Sequence, residues 1–411
     1  MTRISKLLVS EGNIHSIKTN KYKDITVSFK CAFPYSRKFK AALSLLSQML
    51  HEQCEKYPTK DLMSKAKDLL YGLSFDCSII NISDLIIFSI TYSFTNPSFF
   101  DDVNENNYIA FIDETLKRPL LTQNILDETK RRAKDTIQRI LDKPNVFAAD
   151  EFNKIVSKDD EHFEIESNLF KDEIDNVSLD DLKGAYNNLF NSRTDIYLVG
   201  DYKDELFNYL KQFKSKIDLT CTSRPLNLIP KDDITIKKEV GQSTLIVSYK
   251  VPYVRADKEF YAYNVGNILF GGIPTSLLFS EIREKDNLCY IIYSRVFRHA
   301  GLSTIVTLID KDNKDKVVSS IRKQYQRIVD KDYDPSLLDI AKTMLISNSL
   351  SIDDDMDYLI SYHYEGIISN TYIPMDENLK KISEVSADDI SNVFKKYEDY
   401  FVFFLEGVKS E

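Results

Sequence analysis

The chain has 411 residues, of which 43% are apolar and 28% are charged, and its formal net charge is −9. This length suggests two domains rather than one hydrophobic core, and the balance is typical of a folded protein rather than a disordered one. The negative charge argues against a nucleic-acid partner, because phosphate binding needs clustered Lys and Arg. Five widely spaced cysteines predict reduced thiols rather than disulfides.

The start of the sequence does not predict a signal peptide. The first eleven residues, MTRISKLLVSE, contain no apolar stretch typical of a signal peptide. No window approaches the roughly 18 uninterrupted apolar residues of a membrane span. We therefore expect a cytoplasmic protein with no membrane partner.

In the first half, the predicted elements alternate between strands and helices. Residues 25–29 are rich in β-branched and aromatic side chains, which favours a strand. Apolar residues then recur at helical spacing, which predicts a helix over residues 39–55. Residues 77–80 and 85–91 have strand patterns, and residues 148–156 have a helical one. After a capped helix beginning at Ser178, residues 196–199 predict another strand.

The second half repeats this order. The segment VSFK at residues 27–30 returns as VSYK at residues 247–250, and VSLDDL at 177–182 returns as VSADDI at 385–390. After the strand that contains VSYK, apolar residues recur at helical spacing over residues 260–270, which predicts a helix. Residues 319–329 predict a further helix. Ser178 and Ser386 are each followed three residues later by Asp, which predicts two N-terminal helix caps. A strand over 401–405 matches the one over 196–199.

These two repeated segments, which occur in the same order in both halves, predict an internal duplication. The stretch between residues 215 and 238 contains two prolines preceded by Arg or Ile and a charged run, and it lacks helical periodicity. We therefore predict domains at 1–214 and 239–411 joined by a linker at 215–238. Both halves mix strands and helices, so the predicted class is α+β, with helices covering one face of each sheet.

The most distinctive stretch is FGGIPTSLLFSEIREKDNLCY at residues 270–290. Its pattern indicates a helix end, a Gly-Gly turn, a second helix that ends in charges, and then a strand. Gly271 and Gly272 suit a helix C-terminus, where glycine tolerates positive φ. Considered alone, Arg283 could simply pair with a neighbouring carboxylate such as Glu284. Tyr290 could equally fill the core side of a strand.

The whole block resembles the FGGxxxSxLFxx(V/I)REKxxLxY signature of insulinase/pitrilysin-type (M16) zinc peptidases. The resemblance implies two homologous α/β domains of the mitochondrial-processing-peptidase-like metallohydrolase fold, related by pseudo-twofold symmetry. It also implies that Arg283 and Tyr290 donate hydrogen bonds to the substrate carbonyl as it becomes tetrahedral. A substrate contact from the loop at Gly271 and Gly272 is implied as well.

The zinc motif of that family is missing. Active members bind zinc through HxxEH on an N-terminal helix, where two His hold the metal and the Glu activates water. Counting back from a KYP segment at residues 56–58, which resembles the family's KKYP, puts Ser44, Ser47 and Gln48 at these positions. Glu128 lies near where the last ligand is expected. We predict no metal and no cofactor in this chain, as in bacterial M16 members without the motif.

The resemblance therefore leaves three functions open. In the first, the chain is the non-metal subunit of a hetero-oligomeric peptidase and supplies Arg283 and Tyr290 to a zinc-bearing M16 paralogue that cleaves peptides. In the second, it is a non-proteolytic scaffold that binds peptides or proteins in a peptide-maturation or protein-modification pathway. The third is a metal-independent hydrolase whose triad forms only in three dimensions.

Overall fold

The computed structural model describes residues 8–160 and 171–408. Contacts divide the chain into two compact units, and each unit combines three separate segments. Unit 1 contains the described residues of Met1–Ile137, Asn168–Cys221 and Ile352–Ile368. Unit 2 contains those of Gln138–Ser167, Thr222–Ser351 and Ser369–Glu411. These units are defined by contacts in space, whereas the linker at residues 215–238 was predicted to separate two homologous halves of the sequence. That division stays a prediction.

Each unit is built around one β-sheet. The strands of unit 1 are β1 (Val9–Glu11), β2 (Ile14–Lys18), β3 (Asp24–Pro34), β4 (Ser74–Ile82), β5 (Leu85–Thr95) and β6 (Arg193–Gly200). The strands of unit 2 are β7 (Ile234–Glu239), β8 (Ser243–Lys250), β9 (Ile291–Phe297), β10 (Leu302–Ile309) and β11 (Glu398–Val408).

Fourteen α-helices lie among the described residues. They are α1 (Arg37–Leu50), α2 (Lys60–Asp68), α3 (Glu105–Lys117), α4 (Gln123–Leu141), α5 (Pro144–Ser157), α6 (Lys171–Asn176), α7 (Leu179–Asn188), α8 (Asp204–Leu210), α9 (Phe260–Asn267), α10 (Lys314–Asp330), α11 (Ser336–Ser351), α12 (Met356–Ile368), α13 (Met375–Glu384) and α14 (Ala387–Phe394). Two π-helical segments, Ile268–Gly272 and Phe279–Lys285, follow α9.

The two sheets repeat one topology. Strand order is β1-β2-β6-β3-β5-β4 in unit 1 and β7-β11-β8-β10-β9 in unit 2. In each sheet one pair is parallel, β2 with β6 and β7 with β11, and the remaining neighbours are antiparallel. The strands β3 and β8 that carry the VSFK and VSYK echoes occupy equivalent places, which supports the predicted duplication.

Both predicted helix caps are present. The Ser178 side chain accepts a hydrogen bond from the backbone N–H of Asp181, and the Asp181 carboxylate accepts one from the backbone of Ser178. Ser386 and Asp389 form the same reciprocal pair at the start of α14. Each box satisfies two N–H groups that a helix start leaves without partners.

The sheet of unit 2 is covered on both faces, which corrects the prediction of one covered face. Side chains alternate along β8, so Leu245 and Val247 face one way and Ile246 the other. The first two belong to a cluster with α9, α10 and α14, whereas Ile246 packs with Phe152 of α5. Because α5 lies far from β8 in sequence, no local pattern indicates this packing.

Unit 1 includes helix α12, which comes from the second half of the sequence. Leu359, Ile360 and Tyr364 of α12 pack with Tyr197 and Val199 of β6 in one buried cluster. The helix lies more than 150 positions after β6 in the sequence, so periodicity alone could not assign its partner. Each unit therefore depends on a helix from the other half of the sequence.

Candidate functional site

The turn between the second π-helical segment and β9 brings positions 283 and 290 together. Arg283 lies in the segment Phe279–Lys285, which packs against β9. Such wide helical turns occur frequently at functional sites. Tyr290 immediately precedes β9, and its backbone N–H donates to the carbonyl of Leu308 at 2.9 Å. Asn287, in the turn itself, has a φ of 50°, a conformation that Asn tolerates better than most residues.

The Arg283 guanidinium is fixed at one end and open at the other. Its Nε donates a hydrogen bond to the backbone carbonyl of Tyr290 at 3.0 Å. The guanidinium carbon lies 4.6 Å from the centre of the Phe279 ring, a cation–π contact. Within the described part of the chain, the terminal nitrogens have no hydrogen-bond partner and no carboxylate pairs with Arg283. Four of its five N–H donors therefore face solvent.

Tyr290 is a surface residue, and the possibility that it fills a strand core is therefore wrong. Its side chain is 53% exposed. The hydroxyl donates to Oδ1 of Asp310 at 3.2 Å, longer than the roughly 2.5–2.7 Å of a strong O–H···O⁻ bond. This hydrogen bond and the Asp310 charge raise the pKa of Tyr290. The phenol therefore keeps its proton at neutral pH.

The two glycines of the block differ from the expected turn. Neither has positive φ, so left-handed backbone does not explain them. Gly271 is instead buried where the helix meets β9. A Cβ there would lie 2.7 Å from Oγ and 2.8 Å from the backbone N of Ser294, and 2.8 Å from Leu278 Cδ1. Glycine is needed for close approach, and this packing helps to fix the segment that carries Arg283. Gly272 is exposed.

The positions expected to carry the zinc motif hold side chains that bond to their own helix. Ser47 Oγ donates to the Ser44 carbonyl at 2.9 Å, and Gln48 Nε2 donates to the same oxygen at 3.3 Å. The Nδ1 atom of His51, one turn later, lies 2.8 Å from the Ser47 carbonyl. These side chains offer no pair of imidazoles and no catalytic carboxylate.

Positive charge surrounds the expected last ligand. Glu128 of α4 lies 3.4 Å from Lys60 Nζ and 3.7 Å from Arg132 Nε. Arg132 also holds Glu52, just past α1, through two hydrogen bonds of 2.6 and 2.7 Å. Lys60 contacts Glu52 as well, at 3.2 Å. The carboxylates at this place are thus neutralised by cationic side chains.

No group suited to a metal is found within residues 8–160 and 171–408, where no three His, Cys, Asp or Glu side chains gather closely enough to hold an ion. One of the five histidines, His162, lies outside the described residues.

Two residues that shape the site were not predicted. Phe279 lies four positions before Arg283, a spacing that places side chains on one helix face, so the sequence did carry that signal. Asp310 lies 20 positions after Tyr290. Its proximity depends on the antiparallel pairing of β9 with β10, in which Ile291 faces Leu308. No local pattern predicts that register.

Comparisons with known proteins agree with this structure. Residues 176–345 match the family model described as Peptidase M16 inactive domain. Over 427 residues the chain is 24% identical to the probable inactive metalloprotease YmfF of Bacillus subtilis, covering 100% of this chain and 99% of that protein. A conserved protein from Enterococcus faecalis superposes with a TM-score of 0.90 at 22% identity, covering 97% of each chain. The peptidase M16 inactive domain from Pseudomonas fluorescens gives 0.79 at 15%, covering 98% of this chain and 99% of that one.

The architecture is therefore that of an M16-like two-domain peptidase, and the predicted α+β class is confirmed. Residues 176–345 thus match the inactive domain of M16 peptidases, and the chain as a whole is similar to a probable inactive metalloprotease. The resemblance predicted from the FGG block is confirmed.

The helices also bear on membrane insertion. In the portion of the chain that the structure describes, no helix combines the length and the apolar character needed to cross a bilayer.

Proposed function

We propose that this protein is the non-metal subunit of a two-chain M16-type peptidase. Arg283 and Tyr290 would bind the substrate carbonyl beside a zinc ion held by a zinc-bearing paralogue. The observation that carries the proposal is the geometry of Arg283. Its Nε donates a hydrogen bond to the Tyr290 carbonyl, and its guanidinium makes a cation–π contact with the Phe279 ring. The terminal nitrogens remain open to solvent.

The chemistry that such a pair contributes is electrostatic. As the scissile carbonyl becomes tetrahedral, its oxygen gains negative charge, and donors already in position stabilise it without reorganising. One such donor is worth roughly 3 kcal/mol. Arg283 brings a permanent charge and a fork of N–H groups. This chain offers no base at the zinc-motif positions, so water activation would fall to the partner's zinc.

Tyr290 would act as a second donor only after a small rearrangement. Its hydroxyl donates to Asp310 over a long distance of 3.2 Å, at an exposed position. A substrate oxyanion offers a stronger acceptor in a water-poor site. Asp310 would then serve to keep the phenol protonated and oriented before the substrate arrives.

Strand β9 offers a way to hold the peptide near this pair. Among the strands that the structure describes it is the last of its sheet, so one row of its backbone groups has no partner strand there. Ile291 and Tyr293 are 44% and 37% exposed on the same face. An extended peptide can add to such an edge through main-chain hydrogen bonds. Peptide added there would run past Arg283.

The test combines the protein with the zinc-bearing M16 paralogue from its native source. Peptide cleavage is measured for this chain alone, for the paralogue alone, and for mixtures with wild type or Arg283→Ala. The proposal expects the wild-type mixture to exceed the paralogue alone, and the Arg283→Ala mixture to lose that gain. If the wild-type mixture is no faster than the paralogue, the subunit hypothesis is wrong.

One observation favours the scaffold as a second candidate. The Tyr290 proton is already committed to Asp310, and the exposed β9 face together with an open guanidinium could equally bind a segment of a folded protein without cleavage. Co-purification from the native source separates the two candidates. A specific folded partner without any zinc-bearing paralogue favours the scaffold, and the paralogue alone favours the peptidase subunit.

A further inference from the structure

A second array of chemically active side chains lies in unit 1, across three neighbouring strands. Ser10 of β1 and His15 of β2 are cross-strand partners. The Ser10 Oγ lies 2.8 Å from Nδ1 of His15. On the other side of the ring, Nε2 of His15 lies 3.1 Å from Oδ1 of Asp195 on β6. A continuous line of hydrogen bonds therefore joins a hydroxyl, an imidazole and a carboxylate.

The proton positions follow from the carboxylate. Burial acts to raise the pKa of Asp195, but hydrogen bonds from His15 and Arg193 outweigh it, and the pKa is lowered. The Arg193 Nε donates to the second oxygen of Asp195 at 2.8 Å. Because an ionised carboxylate only accepts hydrogen bonds, Nε2 must carry a proton. In the neutral ring Nδ1 is then an acceptor, and the Ser10 hydroxyl donates to it.

The array is rigid at the base and open at the nucleophile. His15 is 6% exposed, and its ring stacks on Tyr197 with centroids 4.9 Å apart. Asp195 is also buried. Ser10 is exposed, so a substrate can reach its Oγ. A cavity of about 810 Å³ adjoins the same hairpin, lined by its turn residues Gly12 and Asn13 and by Asp195.

We propose that Ser10, His15 and Asp195 form a nucleophile–base–acid triad that hydrolyses small carboxylic esters. Roles and geometry define such a triad, not the order of its members in the sequence. A structural alternative, in which the line of bonds only satisfies the buried His15, gives Ser10 no enhanced reactivity. The two interpretations therefore differ in a property that can be measured.

The reaction needs only the ester and water. Ser10 Oγ attacks the carbonyl carbon while its proton passes to Nδ1 of His15, and Asp195 stabilises the resulting imidazolium. When the C–O bond breaks, the leaving alkoxide takes that proton and departs as the alcohol. Water then attacks the acyl–Ser10 ester, giving one proton to His15. The acid leaves, and His15 returns the proton to Ser10.

The test is covalent labelling of the full chain with a fluorophosphonate, located by peptide mass spectrometry. We expect labelling at Ser10 in the wild type. His15→Gln and Asp195→Asn should slow it by at least about 100-fold, since a positioned base contributes that much or more. Ser223, whose Oγ lies 2.6 Å from Nδ1 of His299 in unit 2, gives a matched control. Ser223→Ala should leave Ser10 labelling unchanged.

The wild type alone can decide against the proposal, so the test stands even where variants of the buried His15 fail to fold. Absence of label on Ser10 overturns the proposal. Equal labelling of folded His15→Gln also overturns it, because the hydroxyl would then react without its base. Loss of turnover of a p-nitrophenyl ester in Ser10→Ala completes the support, since Ser10 is exposed and its truncation leaves the core intact.

Discussion

The Nε atom of Arg283 and the carbonyl oxygen of Tyr290 lie 3.0 Å apart, which closes the segment 283–290 into one fixed turn. Two further bonds tie the turn to the helical segment before it: the backbone N–H of Asp286 donates to the carbonyl of Glu281, and that of Leu288 to the carbonyl of Ile282, each at 3.0 Å. Arg283 and Tyr290, whose spacing in the sequence first suggested a functional pair, are thus held together in one hydrogen-bonded turn. The proposed peptidase role requires the terminal N–H groups of Arg283, which this turn leaves open to solvent.

Arg283 should matter for catalysis and not for folding. Because the side chain is exposed, Arg283→Ala should change the free energy of unfolding by no more than about 0.5 kcal/mol. In the mixture with the zinc-bearing paralogue, kcat/KM should fall roughly 100-fold or more, as for loss of one oxyanion donor.

Two variants sharpen this prediction. Arg283→Lys keeps the charge but loses the planar fork, so it should recover only part of the activity. Lys285→Ala removes a positive charge from the same helical segment and should leave kcat/KM nearly unchanged. A drop as large as that of Arg283→Ala would mean that general charge, rather than the placed guanidinium, carries the effect.

Asp310 should control the ionisation of Tyr290. The hydrogen bond to Asp310 and its negative charge raise the pKa of the phenol. In Asp310→Asn the charge is gone, so the pKa of Tyr290 should fall towards about 10, the value of an unperturbed tyrosine. Carbon-13 NMR of labelled tyrosine, assigned with Tyr290→Phe, measures this. An unchanged titration would show that Asp310 does not act on the phenol.

Gly271 should be required for close packing. A methyl group there would meet Ser294 and Leu278 at 2.7–2.8 Å, including one backbone nitrogen that cannot swing aside. Overpacking of this kind costs about 1–3 kcal/mol, so Gly271→Ala should lower the free energy of unfolding by that amount. Gly184 in α7 is the matched control, because nothing lies within 4 Å of the position that a methyl group would occupy there.

Gly184→Ala should be stabilising by roughly 0.5–1 kcal/mol, since alanine loses less backbone entropy in a helix than glycine does. Chemical denaturation of both variants gives the comparison. Equal effects of the two substitutions would refute the close-approach explanation.

The ion pair between Arg132 and Glu52 should stabilise unit 1 in a pH-dependent way. Burial acts to raise the pKa of Glu52, but hydrogen bonds from Arg132 and Lys60 outweigh it, and the pKa is lowered. A carboxyl with a lowered pKa contributes stability above its unfolded pKa, about 4.3. That contribution is lost as pH falls through the folded value.

Arg132→Ala should therefore cost about 1–2 kcal/mol at pH 7, after allowance for partial solvent exposure. The difference from wild type should shrink as the pH approaches 3. Arg131→Ala, on the exposed side of the same helix, should cost little at any pH. Urea denaturation across this range provides the measurement, and a cost independent of pH would contradict the assignment.

The sequence predicted those parts of the structure that local chemistry determines. Residues 25–29 lie within β3, residues 319–329 lie within α10, and both Ser–Asp caps formed, because strand composition and capping act over a few positions. The helix predicted over residues 39–55 begins at Arg37 and ends earlier, at Leu50, and Cys54 beyond it pairs instead with Pro119.

Features set by distant contacts were missed. The packing of α5 and α12 depends on residues more than 80 positions away, and Asp310 reaches Tyr290 only through the register of β9 with β10. The Ser10–His15–Asp195 array was missed for the same reason, because 180 positions separate its last two members. The roles of Arg283, Tyr290, Gly271 and Gly272 towards a substrate stay predictions.

A chain that supplies donors to another protein's zinc site must act in a fixed ratio to that protein, and a stoichiometric titration measures this. A constant amount of the zinc-bearing paralogue is mixed with increasing amounts of this chain, and the initial rate of peptide cleavage is recorded. We expect a rate that rises and levels off at one chain per paralogue, with no rise for Arg283→Ala. A rate that stays flat as wild-type chain is added would contradict the proposed role.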